Sequence, residues 1–220
     1  FITKKCKRVV TIHGKYGTYL QGNFFVDFLR KIFVRQQSNI WKKAHNVIVI
    51  SESIKDWLNK LNPTINPIVV PYGVEIPEIR SMNNKYFPTL GFLGKLNKNK
   101  GIEDLVDVYE EILKKENFHD LEPALLIGGI GSESYIKDIS KKINNNNLKF
   151  LGYVEDRHNF FSSLDVFIFP SYSEGLGLVL LEAMSHGVLC ITRNVAPMNS
   201  IIKHGVNGFL FNDNKELLEL

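Results

Sequence analysis

The chain has 220 residues, 44% of them hydrophobic, and a net charge of +4. That length suffices for one large domain or parts of two, and no apolar run approaches the roughly 18 residues needed to span a membrane. Two cysteines, Cys6 and Cys190, stand without metal-ligand spacing, which argues against a disulfide scaffold and suits a reducing compartment.

In chain order, "RVVTI" (8–12) reads as a buried strand ending at His13-Gly14. The basic aromatic stretch "GNFFVDFLRKIFVRQQSNIWKKAH" follows and reads as a helix. Phe24, Phe25, Phe28, Leu29, Ile32 and Phe33 fall on one face of it, flanked by Arg30, Lys31 and Arg35. Charge is concentrated here: residues 1–60 hold twelve Lys/Arg against three Asp/Glu, whereas the rest holds fifteen against twenty. A basic amphipathic helix can lie on an anionic membrane surface. The alternative is a core-facing helix with a solvated basic edge. "NVIVIS" (46–51) is a second strand, and Ser51 or Ser53 can cap the helix "IKDWLNKL". The proline-rich "NPTINPIVVPYGVEIPEI" (62–79) surrounds a short strand, "PIVV", and is the best candidate for an interdomain linker.

A regular alternation then begins. Strands are expected at 89–94, 123–129, 148–152, 165–170 and 188–192. Helices are expected at 101–115, 132–143, 157–164 and 177–187, with a further short helix and strand beyond. Apolar strands alternating with helices imply a parallel sheet covered on both faces. The expected architecture is an open α/β sheet preceded by part of another α/β unit. Ligands of such sheets bind at the carboxyl ends of the strands. "NNNN" at 144–147 is a polar loop tip to which no function is given. The chain begins at Phe1 and ends in "NKELLEL", which reads as the middle of a helix, so a segment of a longer protein is expected. No secretory signal is visible.

The chemistry is sought in "PSYSEGLGLVLLEAMSHG" (170–187), at the carboxyl end of the strand 165–170. Gly175 and Gly177 allow close approach of a ligand. The helix that follows offers free N–H groups and the positive end of its dipole, a ready anion site. Glu174 is expected to point from the loop into the crevice. Glu182 lies among Val179, Leu180, Leu181, Ala183 and Met184, where a carboxylate is costly unless it accepts hydrogen bonds. Hydroxyl-rich ligands donate such bonds, and a ribose diol is the obvious partner.

This stretch resembles the E-x7-E signature of retaining GT-B glycosyltransferases, especially glycosyltransferase family 4. "VVPYGVE" (69–75), "LGFLGKLNKNKGIEDLVD" (90–107), "ALLIGGIGSESYIKDI" (124–139), "LKFLGYVED" (148–156) and "HGVNGFLF" (204–211) resemble further family segments in the same order. The resemblance implies a GT-B fold. Residues 1–70 would be part of an acceptor-side Rossmann-like domain, 71–88 a hinge, and 89–220 a nucleotide-sugar-binding domain of the same type. It implies that Glu174 contacts hydroxyls of the donor sugar, that Glu182 holds the ribose, and that the backbone of Gly175, Leu176, Gly177 and Leu178 meets sugar and diphosphate. Lys100 matches the family lysine that neutralises the leaving diphosphate. Lys95 stands where the family has arginine, keeping the charge but losing the bidentate fork. Gly152 to Val154, with Tyr153, would line the base, and His13 would face the donor sugar. Glu174, His13 and Lys100 are therefore the expected catalytic residues.

No acidic pair sits where it would hold a metal, so neither metal nor cofactor is expected. Expected partners are a nucleotide-sugar donor and a glycan or lipid-linked acceptor, not a nucleic acid. Peripheral membrane contact is expected through residues 23–43, in a cytoplasmic protein of surface polysaccharide or glycolipid synthesis. "NVAPMNSII" (194–202) departs from the family's usual glycine pair and glutamate. Rival readings are a GT-B epimerase or phosphorylase, an inactive nucleotide-binding fragment, and a NAD-dependent dehydrogenase. For the last, "GGIGSES" (128–134) lacks the third glycine.

Overall fold

A computed structural model describes residues 6–15, 24–78, 88–115, 123–142 and 145–220. The chain divides into two compact units. One comprises Phe1–Gly73 with Glu174–Leu176, and the other Val74–Ser173 with Gly177–Leu220. Half of the expected hinge 71–88, residues 79–87, lies outside the described residues, as do residue 143 and residue 144 of the polar loop.

The first unit holds a three-stranded parallel sheet in the order β1 (Val9–Ile12), β2 (Asn46–Val49), β3 (Ile68–Val69). Helix α1 (Phe24–Trp41) connects β1 to β2, and α2 (Glu52–Leu61) connects β2 to β3. Ser51 caps α2: its hydroxyl oxygen accepts the Ile54 N–H at 3.3 Å. Ile54 and Leu58, one turn apart, are buried with Ile12, Val47 and Val49. Helix α1 buries Val34 and Ser38. Its apolar residues Phe28, Leu29, Ile32 and Phe33 are exposed in this unit. Residue 23 and the side chains of Phe24 and Phe25 lie outside the described residues.

The second unit is built on a six-stranded, wholly parallel sheet. Its strands are β4 (Thr89–Leu93), β5 (Ala124–Gly128), β6 (Leu148–Gly152), β7 (Val166–Phe169), β8 (Leu189–Arg193) and β9 (Phe209–Phe211). Helices α3 (Ile102–Lys114), α4 (Glu133–Ser140), α5 (Arg157–Ser162), α6 (Leu178–Ser185), α7 (Met198–Ile201) and α8 (Asn214–Glu219) alternate with them. A 3-10 turn, Lys98–Lys100, precedes α3, and a cis Ala196–Pro197 bond leads into α7. Phe92, Phe167, Phe169, Phe161, Tyr109 and Phe211 are buried in its core. The buried Tyr109 hydroxyl donates to the carbonyl of Pro123 at 2.6 Å, so burial leaves no polar group unsatisfied there.

Spatial order is β6-β5-β4-β7-β8-β9. The chain runs outward from β4 through β5 to β6, then returns to the other side of β4 with β7. The order reverses between β4 and β7, and a crevice opens at such a switch point beyond the strands' carboxyl ends.

Candidate functional site

The loops that leave β4 and β7 are stitched together. The Tyr172 N–H donates to the Asn99 carbonyl at 3.0 Å, and the Asn99 side-chain amide donates to the Ser173 carbonyl at 3.3 Å. Asn97 caps the 3-10 turn by accepting the Asn99 N–H at 3.0 Å. Gly101, left-handed at φ 66°, closes that turn, and a Cβ there would collide with the Pro170 carbonyl oxygen. The segment carrying the lysines is thus held against the segment that leads to the two glutamates.

Below this stitch lies a buried cation. Arg193, at the end of β8, donates from Nη2 to Asp104 at 2.6 Å, from Nε to the Pro170 carbonyl at 3.0 Å, and from Nη1 to the Asn212 carbonyl at 3.0 Å. Its guanidinium lies over the ring of Tyr172, 4.2 Å from the centroid, and 4.9 Å from that of Phe211. The Tyr172 hydroxyl also donates to Asp104 at 2.5 Å. That bond, with desolvation second, raises the Tyr172 pKa above its ordinary value.

Helices α3 and α6, which start just after β4 and β7, both begin at a left-handed glycine with no side-chain cap: Gly101 and Gly177 at φ 78°. Helices α2, α4, α5 and α8 start instead under Ser51, Ser132, Asp156 and Asp213, whose side chains accept a backbone N–H. At the switch point, then, the residue that starts each helix has no side chain to take up the first-turn N–H groups. Lys95 is exposed. Lys100 is half-buried, with Nζ 5.8 Å from the centroid of the Phe169 ring at the end of β7.

Glu182 is the fifth residue of α6. Its carboxylate does not wait for a hydroxyl-rich ligand alone, as the apolar sequence around it suggests: Arg157 Nη1 lies 2.7 Å and 2.8 Å from its two oxygens. Gly152 is left-handed at φ 66° at the end of β6 and accepts the Gly129 N–H at 2.7 Å. Beside it Tyr153 is 70% exposed. The glycines of "GGIG" have a packing reason. A Cβ on Gly129 would strike the Gly94 carbonyl, and one on Gly131 the Leu96 carbonyl, so they bring the turn after β5 against the turn after β4.

His13, Glu174, Gly175 and Leu176 belong to the first unit. His13 stacks on Tyr72, ring centroids 5.7 Å apart, and its Nδ1 meets the Tyr72 hydroxyl. The Ser51 hydroxyl donates to the Gly175 carbonyl at 2.9 Å. A Cβ on Gly175 would collide with the His13 carbonyl oxygen, so this glycine is required for close approach of backbone to backbone. Among the described residues, no group of three or more His, Cys, Asp and Glu side chains could hold a metal ion.

Each unit therefore carries a share of the expected residues. The second gathers Lys95, Lys100, Gly177, Leu178 and Glu182, with Gly152 and Tyr153 after β6; the first gathers His13 with Glu174, Gly175 and Leu176. Sequence reasoning missed Asn99, Tyr72, Arg193 and Arg157. All four find their partners across sequence gaps that no local pattern spans.

The matched family model, Glycosyl transferases group 1, covers residues 87–219. The chain is 29% identical, over 96% of its length, to a Staphylococcus aureus capsular polysaccharide biosynthesis glycosyltransferase, CapM, of which it covers 58%. It is 23% identical, over 96% of its length, to alpha-monoglucosyldiacylglycerol synthase from Acholeplasma laidlawii, again covering 58%. Among solved structures, Anabaena Alr3699/HepE in complex with UDP and glucose superposes with a TM-score of 0.79, at 19% identity, over 96% of this chain and 60% of that one. The chain thus spans under two thirds of the length of these proteins. The fold is of GT-B type, a Rossmann-like parallel sheet with part of a second. With the model matched across most of the second unit, the chain belongs to the group 1 glycosyl transferases.

Proposed function

We propose that the protein moves a sugar from a nucleoside diphosphate sugar to a glycan or lipid-linked acceptor, with retention at the anomeric carbon and without a bound metal. The observation that carries this reading is the pair of uncapped, glycine-headed helices at the β4/β7 switch point, tied together through Asn99. Their free N–H groups, with Lys95 and Lys100, suit a diphosphate whose charge grows as it leaves. Glu182 supplies the acceptor for the ribose, and Tyr153 a face for the base. Glu174 and His13 serve the sugar. In the retaining step the bond from the anomeric carbon to the diphosphate breaks, and the acceptor oxygen attacks from the same face. A leaving phosphate oxygen takes the acceptor's proton.

The CapM and lipid synthase relatives support an acceptor in surface polysaccharide or glycolipid synthesis. Helix α1 supports peripheral contact with the cytoplasmic face of a membrane. Phe28, Leu29, Ile32 and Phe33 are 40–59% exposed beside Lys31 and Arg35, which are exposed too, and this suits an anionic lipid surface. No helix among the described residues is long and apolar enough to cross a membrane.

The test is calorimetric titration with UDP, GDP, ADP and NAD, with and without Mg²⁺, beside Glu182→Ala. Metal-independent binding of one nucleoside diphosphate, lost in the variant, is expected. Binding of NAD alone would overturn the reading, as would dependence on Mg²⁺ for the metal-free part of it. Trapping a covalent glycosyl-enzyme on Glu174 would replace the same-face step by a double displacement.

A further inference from the structure

We infer that Arg157 is a positioning residue for the donor nucleotide: it fixes the Glu182 carboxylate so that ribose hydroxyls meet a pre-oriented acceptor. The inference rests on the reading that Glu182 receives the ribose.

Arg157 is the first residue of α5, just past the turn proposed to line the base. Its Nη1 reaches both Glu182 oxygens, at 2.7 Å and 2.8 Å. That single nitrogen faces both oxygens in a bifurcated contact rather than a two-nitrogen fork, and each oxygen keeps a further lone pair for an incoming hydroxyl. The neighbouring Asp156 is committed elsewhere, accepting the Asn159 N–H at 2.9 Å, so it does not compete for the guanidinium.

A second contact holds the same two helices. His186 Nδ1 lies 2.7 Å from the Glu182 main-chain carbonyl, and this ring nitrogen must therefore carry a proton to donate. That leaves His186 Nε2 to accept from His158 Nδ1 at 3.2 Å. The rings sit 5.1 Å apart, with Phe161 packed on His186 at 5.3 Å. Backbone and side chain of Glu182 are thus both tied to the first turn of α5.

The ion pair is half exposed on the arginine side, and pairs of that kind contribute little to folding. A glutamate side chain free to rotate must be ordered when a ligand binds, and ordering it beforehand removes that cost from binding. The pair therefore acts on affinity for the ribose rather than on stability.

The experiment titrates the native protein, Arg157→Ala, Arg157→Lys, Glu182→Ala and the double variant. The probes are whichever of UDP, GDP and ADP binds most tightly and its 2′,3′-dideoxy counterpart. Thermal unfolding of each variant checks the fold. Arg157→Ala is expected to weaken the ribonucleotide about fivefold, the most that so exposed a pair contributes, and to leave the dideoxy compound unchanged. Arg157→Lys should recover part of the loss, and in the Glu182→Ala background Arg157→Ala should cost nothing further. Equal losses for both probes, or a further loss in the double variant, would overturn the inference by placing Arg157 on the base, the diphosphate or the fold. Normal binding by Arg157→Ala with weak binding by Glu182→Ala would sink the inference alone. Normal ribonucleotide binding by Glu182→Ala, or no binding by the native protein, would sink the ribose reading and the inference together.

Discussion

Two arginine–carboxylate pairs stand near the carboxyl edge of the second sheet, and they differ in kind. Arg193 and Asp104 have side chains 8% and 21% exposed, and every arm of that guanidinium is used. Arg157 and Glu182 are 50% and 24% exposed, and a single nitrogen makes the contact. The first pair locks strand ends and loops into one arrangement. The second leaves lone pairs on the carboxylate for a ligand. A buried pair is a structural commitment, because removing one member strands the other, whereas a partly exposed pair can be interrupted at little cost.

That contrast can be broken most forcefully at Arg193. Arg193→Ala should destabilise the protein by about 3–5 kcal/mol in denaturant unfolding, since Asp104 would lose its cation and two carbonyls would lose this donor. A loss below about 1 kcal/mol would mean that the pair is no more structural than its counterpart. Next comes Gly101→Ala, which strains a left-handed residue and drives a Cβ into the Pro170 carbonyl. About 1–3 kcal/mol of stability should go, with weaker nucleotide diphosphate binding as the lysine turn shifts. Unchanged affinity would separate the stitch between the loops from diphosphate recognition.

Tyr172→Phe sharpens the comparison on a pH axis. The bond to Asp104 raises the Tyr172 pKa in the folded state, so the stability it contributes is complete below the unfolded value near 10.0 and is lost as pH rises beyond it. Tyr172 is 48% exposed, so screening keeps the effect under about 1 kcal/mol. Unfolding measured across this alkaline range should lose part of its pH dependence in the variant; an unaltered profile would remove Tyr172 from the network. Smallest is Arg157→Ala, which should stay within about 1 kcal/mol of the native stability. A loss as large as that of Arg193→Ala would erase the distinction between the two pairs.

Cysteine chemistry gives an independent check on the core beneath both pairs. Burial pushes the Cys190 thiol up to about 12, while Cys6 is exposed. At pH 8 an alkylating reagent should label Cys6 in the folded protein and reach Cys190 only on unfolding. Fast labelling of both would show the β8 core opening readily.

Much of the second unit was legible beforehand. The strand and helix expectations fall within a residue or two of β4 to β8 and α3, α5 and α6, because apolar strands alternating with amphipathic helices form a pattern that local chemistry enforces. Of the two serines expected as candidates to cap α2, Ser51 does so. Glu182 was singled out for its apolar neighbours, yet its partner Arg157 was not, since the two are 25 residues apart and meet only when α5 and α6 pack. Gly175 was valued for the close approach of a ligand, but close approach to the His13 carbonyl is what requires it. Helix α1 has a clear apolar face, and amphipathicity alone does not tell which face turns inward. The unit buries Val34 and Ser38 and leaves Phe28 and Phe33 outside.

The sequence by itself determined the alternation of elements, the parallel character of the second sheet and the family, because these follow from periodicity, turn residues and ordered motifs within short windows of chain. The tertiary structure decided what each charged group touches. It placed Arg193 under the loops, set Arg157 on Glu182, tied Asn99 to Ser173 and left the first turns of α3 and α6 uncapped. Those outcomes depend on distances between residues far apart in the chain, which only the packing of helices onto the sheet brings within hydrogen-bond range.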